Sequence, residues 1–255
     1  MSIVLKLLLA GLMLAAVPAA EAADAVIPLP GDVRADLDKY LGAGIVGDPI
    51  ASPPLMTADD YLPPLGASMT YRVLEEDEPA HNEMHKVENT TDPLFAPGWR
   101  YARDPAGALY LQKAGDGGAV VAGEEDRDNE VISRFTPGEP LLIAGLKPGE
   151  SRKVAVKVQV TPMSNPKKVT HKGALVITYT YIGTYKVTVP AGRFEAQLIK
   201  WEYRGSVGPA DIEQTDYRFL APHAGLVAMI ESRHISAMLI YNDKTKLGKL
   251  LQANK

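Results

Sequence analysis

Thr184 to Tyr203 reads Thr-Tyr-Lys-Val-Thr-Val-Pro-Ala-Gly-Arg-Phe-Glu-Ala-Gln-Leu-Ile-Lys-Trp-Glu-Tyr. Alternating apolar residues stop at Pro-Ala-Gly and resume beyond it, the pattern of two strands hinged on a tight turn. Pro190 pre-sets φ for the second turn position, and Gly192 suits the left-handed position of a bulged hairpin. Upstream, Leu175, Ile177, Tyr179, Tyr181, Tyr185, Val187 and Val189 all fall on odd positions, so one face is expected to stay apolar along the whole strand. Gly183 sits among them as a bend or close-approach point. On the return strand the apolar set switches from Phe194, Ala196 and Leu198 to Ile199, Trp201 and Tyr203. That switch predicts a bulge or a two-sided burial near 198–199.

Outward from this hairpin the β pattern continues. Ala221-Pro-His-Ala-Gly-Leu-Val-Ala-Met-Ile230 reads as a turn launching another strand. Val154, Val156, Val158 and Val160 alternate with Ala155, Lys157, Gln159 and Thr161, and Met69, Tyr71 and Val73 with Thr70 and Arg72. Further strands are expected at 106–112, 130–135, 211–219 and 226–240, separated by turns such as Lys147-Pro-Gly149. Hairpins without intervening helices predict a mainly β fold, an open or half barrel made of one curved antiparallel sheet. Such a sheet needs a cover for its concave face. The Pro-rich segment 23–66 and the loop 114–129 are the material available.

That segment carries prolines 28, 30, 49, 53, 54, 63 and 64. One short helix is expected in it, capped by Asp32, with Val33, Leu37, Tyr40 and Leu41 on one face and Gly42 closing it. Thr57 and Asp60 suit a second helical turn. The first 22 residues read as an export signal. Lys6 precedes an apolar run from Leu7 to Val17, and Ala20-Glu-Ala22 suits cleavage. The run is about eleven residues, short of the roughly twenty that span a bilayer. With zero cysteines among 255 residues, neither lipid attachment at a leader cysteine nor a disulfide is open to the chain. Net charge −4 argues against a nucleic-acid binder. The expected organisation is a signal peptide at 1–22, an extension at 23–66, a β domain at 67–241 and a basic tail at 242–255, in a soluble periplasmic protein.

Val187-Thr-Val-Pro-Ala-Gly-Arg-Phe-Glu-Ala196 resembles the V-x-V-P-A-G-x-F-x-A hairpin of a family of uncharacterised exported β-proteins from Gram-negative bacteria. Ala221-Pro-His-Ala-Gly-Leu-Val227 is similar to the family's A-P-x-x-G-x-V turn, and Leu141 to Glu150 to its apolar run ending in Pro-Gly. The resemblance covers residues 138–240. It implies a curved sheet distantly like the half-barrels of lipoprotein carriers and a periplasmic home. It implies no activity.

Three groups of side chains carry candidate chemistry. His81, Glu83 and His85 share one face of a strand and are candidate ligands for Zn²⁺ or Cu²⁺, or else simply a solvated polar face. Tyr179, Tyr181 and Tyr185, with Trp201, combine apolar area and polar tips. They suit a wall that binds a lipid-like or envelope-derived ligand, or ordinary core packing. The acidic run Glu124 to Glu130 lacks the glycine of a calcium loop. Arg204-Gly-Ser-Val-Gly208 misses the nucleophile spacing by one residue, and no cofactor motif is present. The leading expectation is therefore a non-enzymatic binding protein. Its alternatives are an interaction protein with a self-filled core and a metal-dependent enzyme built on His81, Glu83 and His85.

Overall fold

The computed structural model describes residues 25–76, 78–237 and 241–254. The export signal lies outside the described residues. The strands are β1 (Ala25–Val26), β2 (Val46–Ser52), β3 (Ser68–Glu75), β4 (His81–Asn89), β5 (Trp99–Asp104), β6 (Gly107–Lys113) and β7 (Ala119–Asp126). They continue with β8 (Val131–Leu142), β9 (Ser151–Pro162), β10 (His171–Val189), β11 (Gly192–Val207), β12 (Ala210–Ala221), β13 (Gly225–Ala237) and β14 (Tyr241–Asn254). The helices are α1 (Gly31–Leu41) and α2 (Ala58–Tyr61).

β3 to β14 form a closed barrel of 12 antiparallel strands, not the open or half barrel expected from sequence. Closure comes from one non-local pairing, β14 against β3; every other neighbouring pair in the barrel is consecutive in sequence, including β9 against the first half of β10, from His171↔Val160 to Thr180↔Ser151. Residues 241–254, read from sequence largely as a basic tail, are the strand that joins the ends. The loop 114–129, read as a lid, contains the barrel strand β7. A closed barrel satisfies every ladder hydrogen bond and leaves no edge strand, which an open sheet of this size would expose.

The expected bulge occurs where the apolar pattern switches. The pairing steps from Tyr181↔Ile199 to Gly183↔Leu198, so the extra residue, Ile182, lies on β10 rather than on the return strand. A bulge turns the strand over. The apolar run of β10 therefore does not keep to one core. Ile177, Tyr179 and Tyr181 pack with Trp201, Tyr203 and Tyr61, whereas Tyr185, Val187 and Val189 pack with Val33, Leu37 and Leu41 of α1. At Gly183 a Cβ would stand 3.3 Å from Ile27, so the close approach is to the amino-terminal segment. β2 takes over from β9 as partner of β10 there, at Thr184↔Ile50.

Register shows which rows point inward. Leu198, Phe219, Ala228 and Leu250 are cross-strand neighbours, as are Ile199, Arg218, Met229 and Lys249 in the next row. Adjacent rows point to opposite faces. The first row lies in the core shared with α1, whose Tyr40 carbonyl rests on Gly248 where a Cβ would come within 2.4 Å. The second row points into the barrel.

α2 closes one end. Thr57 and Asp60 form the expected capping box, with Thr57 N and Oγ1 donating to Asp60 Oδ2 at 2.9 and 2.7 Å. The segment is tied to three barrel turns: Leu55 N to Leu146 O (2.9 Å), Ala58 N to Gly117 O (2.9 Å), and His223 N to Asp60 O (2.7 Å). Lys113 adds an exposed ion pair with Asp59. α1, in contrast, begins after Pro30 without a side-chain cap, so Asp32 does not cap it.

Candidate functional site

Two cavities lie on either side of the plug. The outer one, about 450 Å³, is lined by Leu62, Pro63, Leu65, Val87, Trp99 and Leu111, with Asp59, Tyr101 and His223 as its polar groups. The inner one, about 130 Å³, lies inside the barrel beneath Tyr61, Leu62 and Pro63. Its wall is divided between leucines and charged groups: Arg103, Arg218, Glu231 and Lys249, with His85 beside them.

The polar half of the interior is built by strand alternation. Gln214, Asp216 and Arg218 on β12 face inward, as do Met229, Glu231 and Arg233 on β13 and Lys249 on β14. Asp216 is fully buried and is bonded by Arg218 and by Gln214 Nε2 at 2.9 Å. The Arg218 guanidinium also lies over Trp201, 4.5 Å from its ring centre, a cation–π contact in a dry setting. Glu139 accepts from the Tyr203 hydroxyl at 2.6 Å. Burial pushes the Glu139 carboxyl up to about 7, against the opposing field of Arg218.

That shift has a stability consequence of definite sign. A carboxyl raised from about 4.5 to about 7 holds its proton in the folded chain when the unfolded chain has lost it, so its contribution weakens as pH rises through that window. Glu139→Gln removes the effect while keeping an acceptor for Tyr203. Urea unfolding at pH 5 and pH 8 should show the variant gaining on the wild type by about 1–3 kcal/mol at the higher pH. A constant gap would show that Glu139 ionises freely in the fold.

His81, Glu83 and His85 are not gathered on one point. His81 is exposed at the start of β4, while Glu83 and His85 are buried. Both Glu83 oxygens are occupied: Oε1 bonds His85 Nε2 at 2.9 Å and Oε2 takes the Lys249 ammonium. Burial alone would raise the Glu83 carboxyl, but His85 and Lys249 outweigh it and bring it down to about 2. Ionised Glu83 requires the proton on His85 Nε2. Nδ1 is then the acceptor for the Tyr101 hydroxyl at 3.1 Å. Burial pushes the His85 imidazole down, so it stays neutral. Among the described residues no group of three or more His, Asp or Glu is placed to hold a metal ion. The arrangement is a fixed chain, Lys249–Glu83–His85–Tyr101, ending at a side chain that borders both cavities.

Tyr179, Tyr181, Tyr185 and Trp201 are all 0% exposed and line neither cavity. Tyr181 donates to Pro53 O at 3.0 Å, Tyr185 to Ile27 O at 3.0 Å and Trp201 Nε1 to Pro140 O at 2.9 Å. Tyr179 and Trp201 meet edge to face at 4.9 Å. These polar tips anchor the amino-terminal segment and β8 to the barrel. Of the candidate site residues only His85 lines a cavity, and the other lining residues were not among the candidates. Their one signal is an acid and a base two apart on a strand, as in Asp216-x-Arg218 and Glu231-x-Arg233, which places both on a single face.

No helix among the described residues is long and apolar enough to cross a membrane. No family model matches the chain, and no curated protein matches it. Among solved structures the chain is similar to a provisionally described exported protein with a YmcC-like fold from Bacteroides fragilis, at 15% identity and a TM-score of 0.45. It is also similar to a provisionally described lipoprotein from Parabacteroides distasonis, at 14% identity and a TM-score of 0.40. Each alignment covers 78% of this chain and 100% of the other.

Proposed function

We propose that this chain is an exported, non-enzymatic binding protein that holds a hydrophobic or amphiphilic ligand at the plugged end of its barrel. The observation that carries the reading is the outer cleft of about 450 Å³, walled by Trp99, Leu62, Leu65 and Leu111 and rimmed by Asp59 and His223. A concave apolar space with a few polar groups at its edge is what a small amphiphile requires. Leu65 is half exposed at the same place, an apolar surface that a ligand would cover.

The chain has two tryptophans, Trp99 in the cleft wall and Trp201 in the core. Titration with decyl-chain amphiphiles should shift the emission of Trp99, and the shift should vanish in Trp99→Phe. Absence of a shift with every probe, together with native mass spectrometry showing no co-purifying small molecule, would leave the second reading. That reading is an interaction protein with a self-filled core. It is favoured by the packing of Tyr61, Tyr179, Tyr181 and Trp201 into one fully buried cluster.

A further inference from the structure

Leu62, Pro63, Tyr101 and Leu111 line both cavities, so the two spaces are adjacent. Their chemistry differs. On the inner side Arg103, Arg218 and Lys249 reach the wall, while their acid partners Glu124, Asp216 and Glu83 do not line the cavity. Asp216 and Glu83 are themselves buried. On the wall itself, three basic residues therefore stand against one acidic residue. That acid, Glu231, carries only part of its charge near neutral pH, because burial and the neighbouring Asp216 hold its carboxyl up at about 7. Tyr101 spends its proton on His85 and presents only lone pairs, so the cationic side is the side that selects. The remaining wall is apolar, including Leu109, Leu141, Leu226 and Met229.

We propose that the inner cavity is the head-group subsite for a small anionic group, a carboxylate or phosphate monoester, carried by an amphiphile whose apolar body lies in the outer cleft. The inference rests on the ligand-binding reading above and specifies its chemistry. Guanidinium and ammonium donors recognise such groups by charge-assisted hydrogen bonds, which gain strength away from water. The size agrees: a cavity of about 150 Å³ holds a benzene-sized molecule, so 130 Å³ takes a head and its first carbons but no long chain. Leu62 and Leu111, which line both spaces, lie between the head and the body of such a ligand. The backbone at Pro63 and Pro64 has no N–H to hold that stretch of plug to the barrel.

Isothermal titration of the full chain with decanoate, decyl phosphate, decanol and decyltrimethylammonium tests this. One or both anions should bind about ten-fold or more tighter than decanol, with the cation weakest, and the two anion arms tell carboxylate from phosphate. In Lys249→Met combined with Glu83→Gln, which leaves no buried charge of that pair unpartnered, the advantage of the preferred anion over decanol should shrink about three-fold or more, Arg103 and Arg218 holding the rest. Equal binding of anions and decanol by the wild type overturns the head-group subsite and leaves the ligand reading standing. So does an anion advantage that is undiminished in a folded double variant. Failure of every probe to bind overturns both. The ranking on the wild type decides the matter even where the variant does not fold.

Discussion

Trp201→Ala should lose about 3–5 kcal/mol of stability, the largest effect of any single truncation in the barrel. The indole is fully buried, stands edge to face with Tyr179 at 4.9 Å, lies beneath Arg218 at 4.5 Å and donates to Pro140 O at 2.9 Å. Removing it opens a void, strips a carbonyl of its donor and leaves Arg218 without its ring. Trp201→Phe keeps much of the area and drops the hydrogen bond, so it should cost about 1–3 kcal/mol. Urea unfolding followed by far-ultraviolet circular dichroism checks both, since Trp201 is one of only two tryptophans and fluorescence would change with the mutation itself. A loss below about 1 kcal/mol for the alanine variant would mean that the barrel interior is looser than the packing describes.

Lys249→Ala should cost nearly as much, about 3–5 kcal/mol, for a different reason. Side-chain exposures of 13% for Lys249 and 5% for Glu83 put the pair inside the barrel. Removing the ammonium leaves a buried ionised carboxylate with His85 as its sole hydrogen-bonding partner among the described residues. Glu83→Gln together with Lys249→Met removes both charges and retains an acceptor for His85 Nε2, so most of the loss should return. A double-mutant cycle by thermal or urea unfolding separates these outcomes. Simple additivity of the two single changes would show that the pair is not coupled and that water reaches Glu83.

Both expected losses fall on residues whose inward direction runs against the usual sequence reading. Polar residues alternating with apolar ones on a strand suggest polar out and apolar in. That holds on β9, where Lys153, Lys157 and Gln159 are exposed and Val156 and Val158 are buried. On β12, β13 and β14 the parity is inverted beneath α1. Phe219, Ala228 and Leu250 pack with the helix, and Arg218, Met229 and Lys249 face the interior. The alternation is identical in the two cases, and only the presence of a helix on the outer face tells them apart. His81 illustrates the opposite error. Parity places it with Glu83 and His85, yet its position at the first residue of β4 leaves it in solvent.

The residues by themselves determined the β character, the Pro-Ala-Gly hairpin, the break opposite 198–199, the capping box at Thr57 and the location of α1. Each of these is a local matter of φ preference, period and neighbouring hydrogen bonds. Closure of the sheet, the face of β10 on which each tyrosine lies, and the gathering of Arg103, Arg218, Glu231 and Lys249 around one cavity were decided only in three dimensions. They depend on the pairing of two distant strands, β14 with β3, on the register between neighbours, and on one inserted residue at Ile182. A one-residue change of register exchanges inside for outside along the whole strand, and no local pattern carries that information.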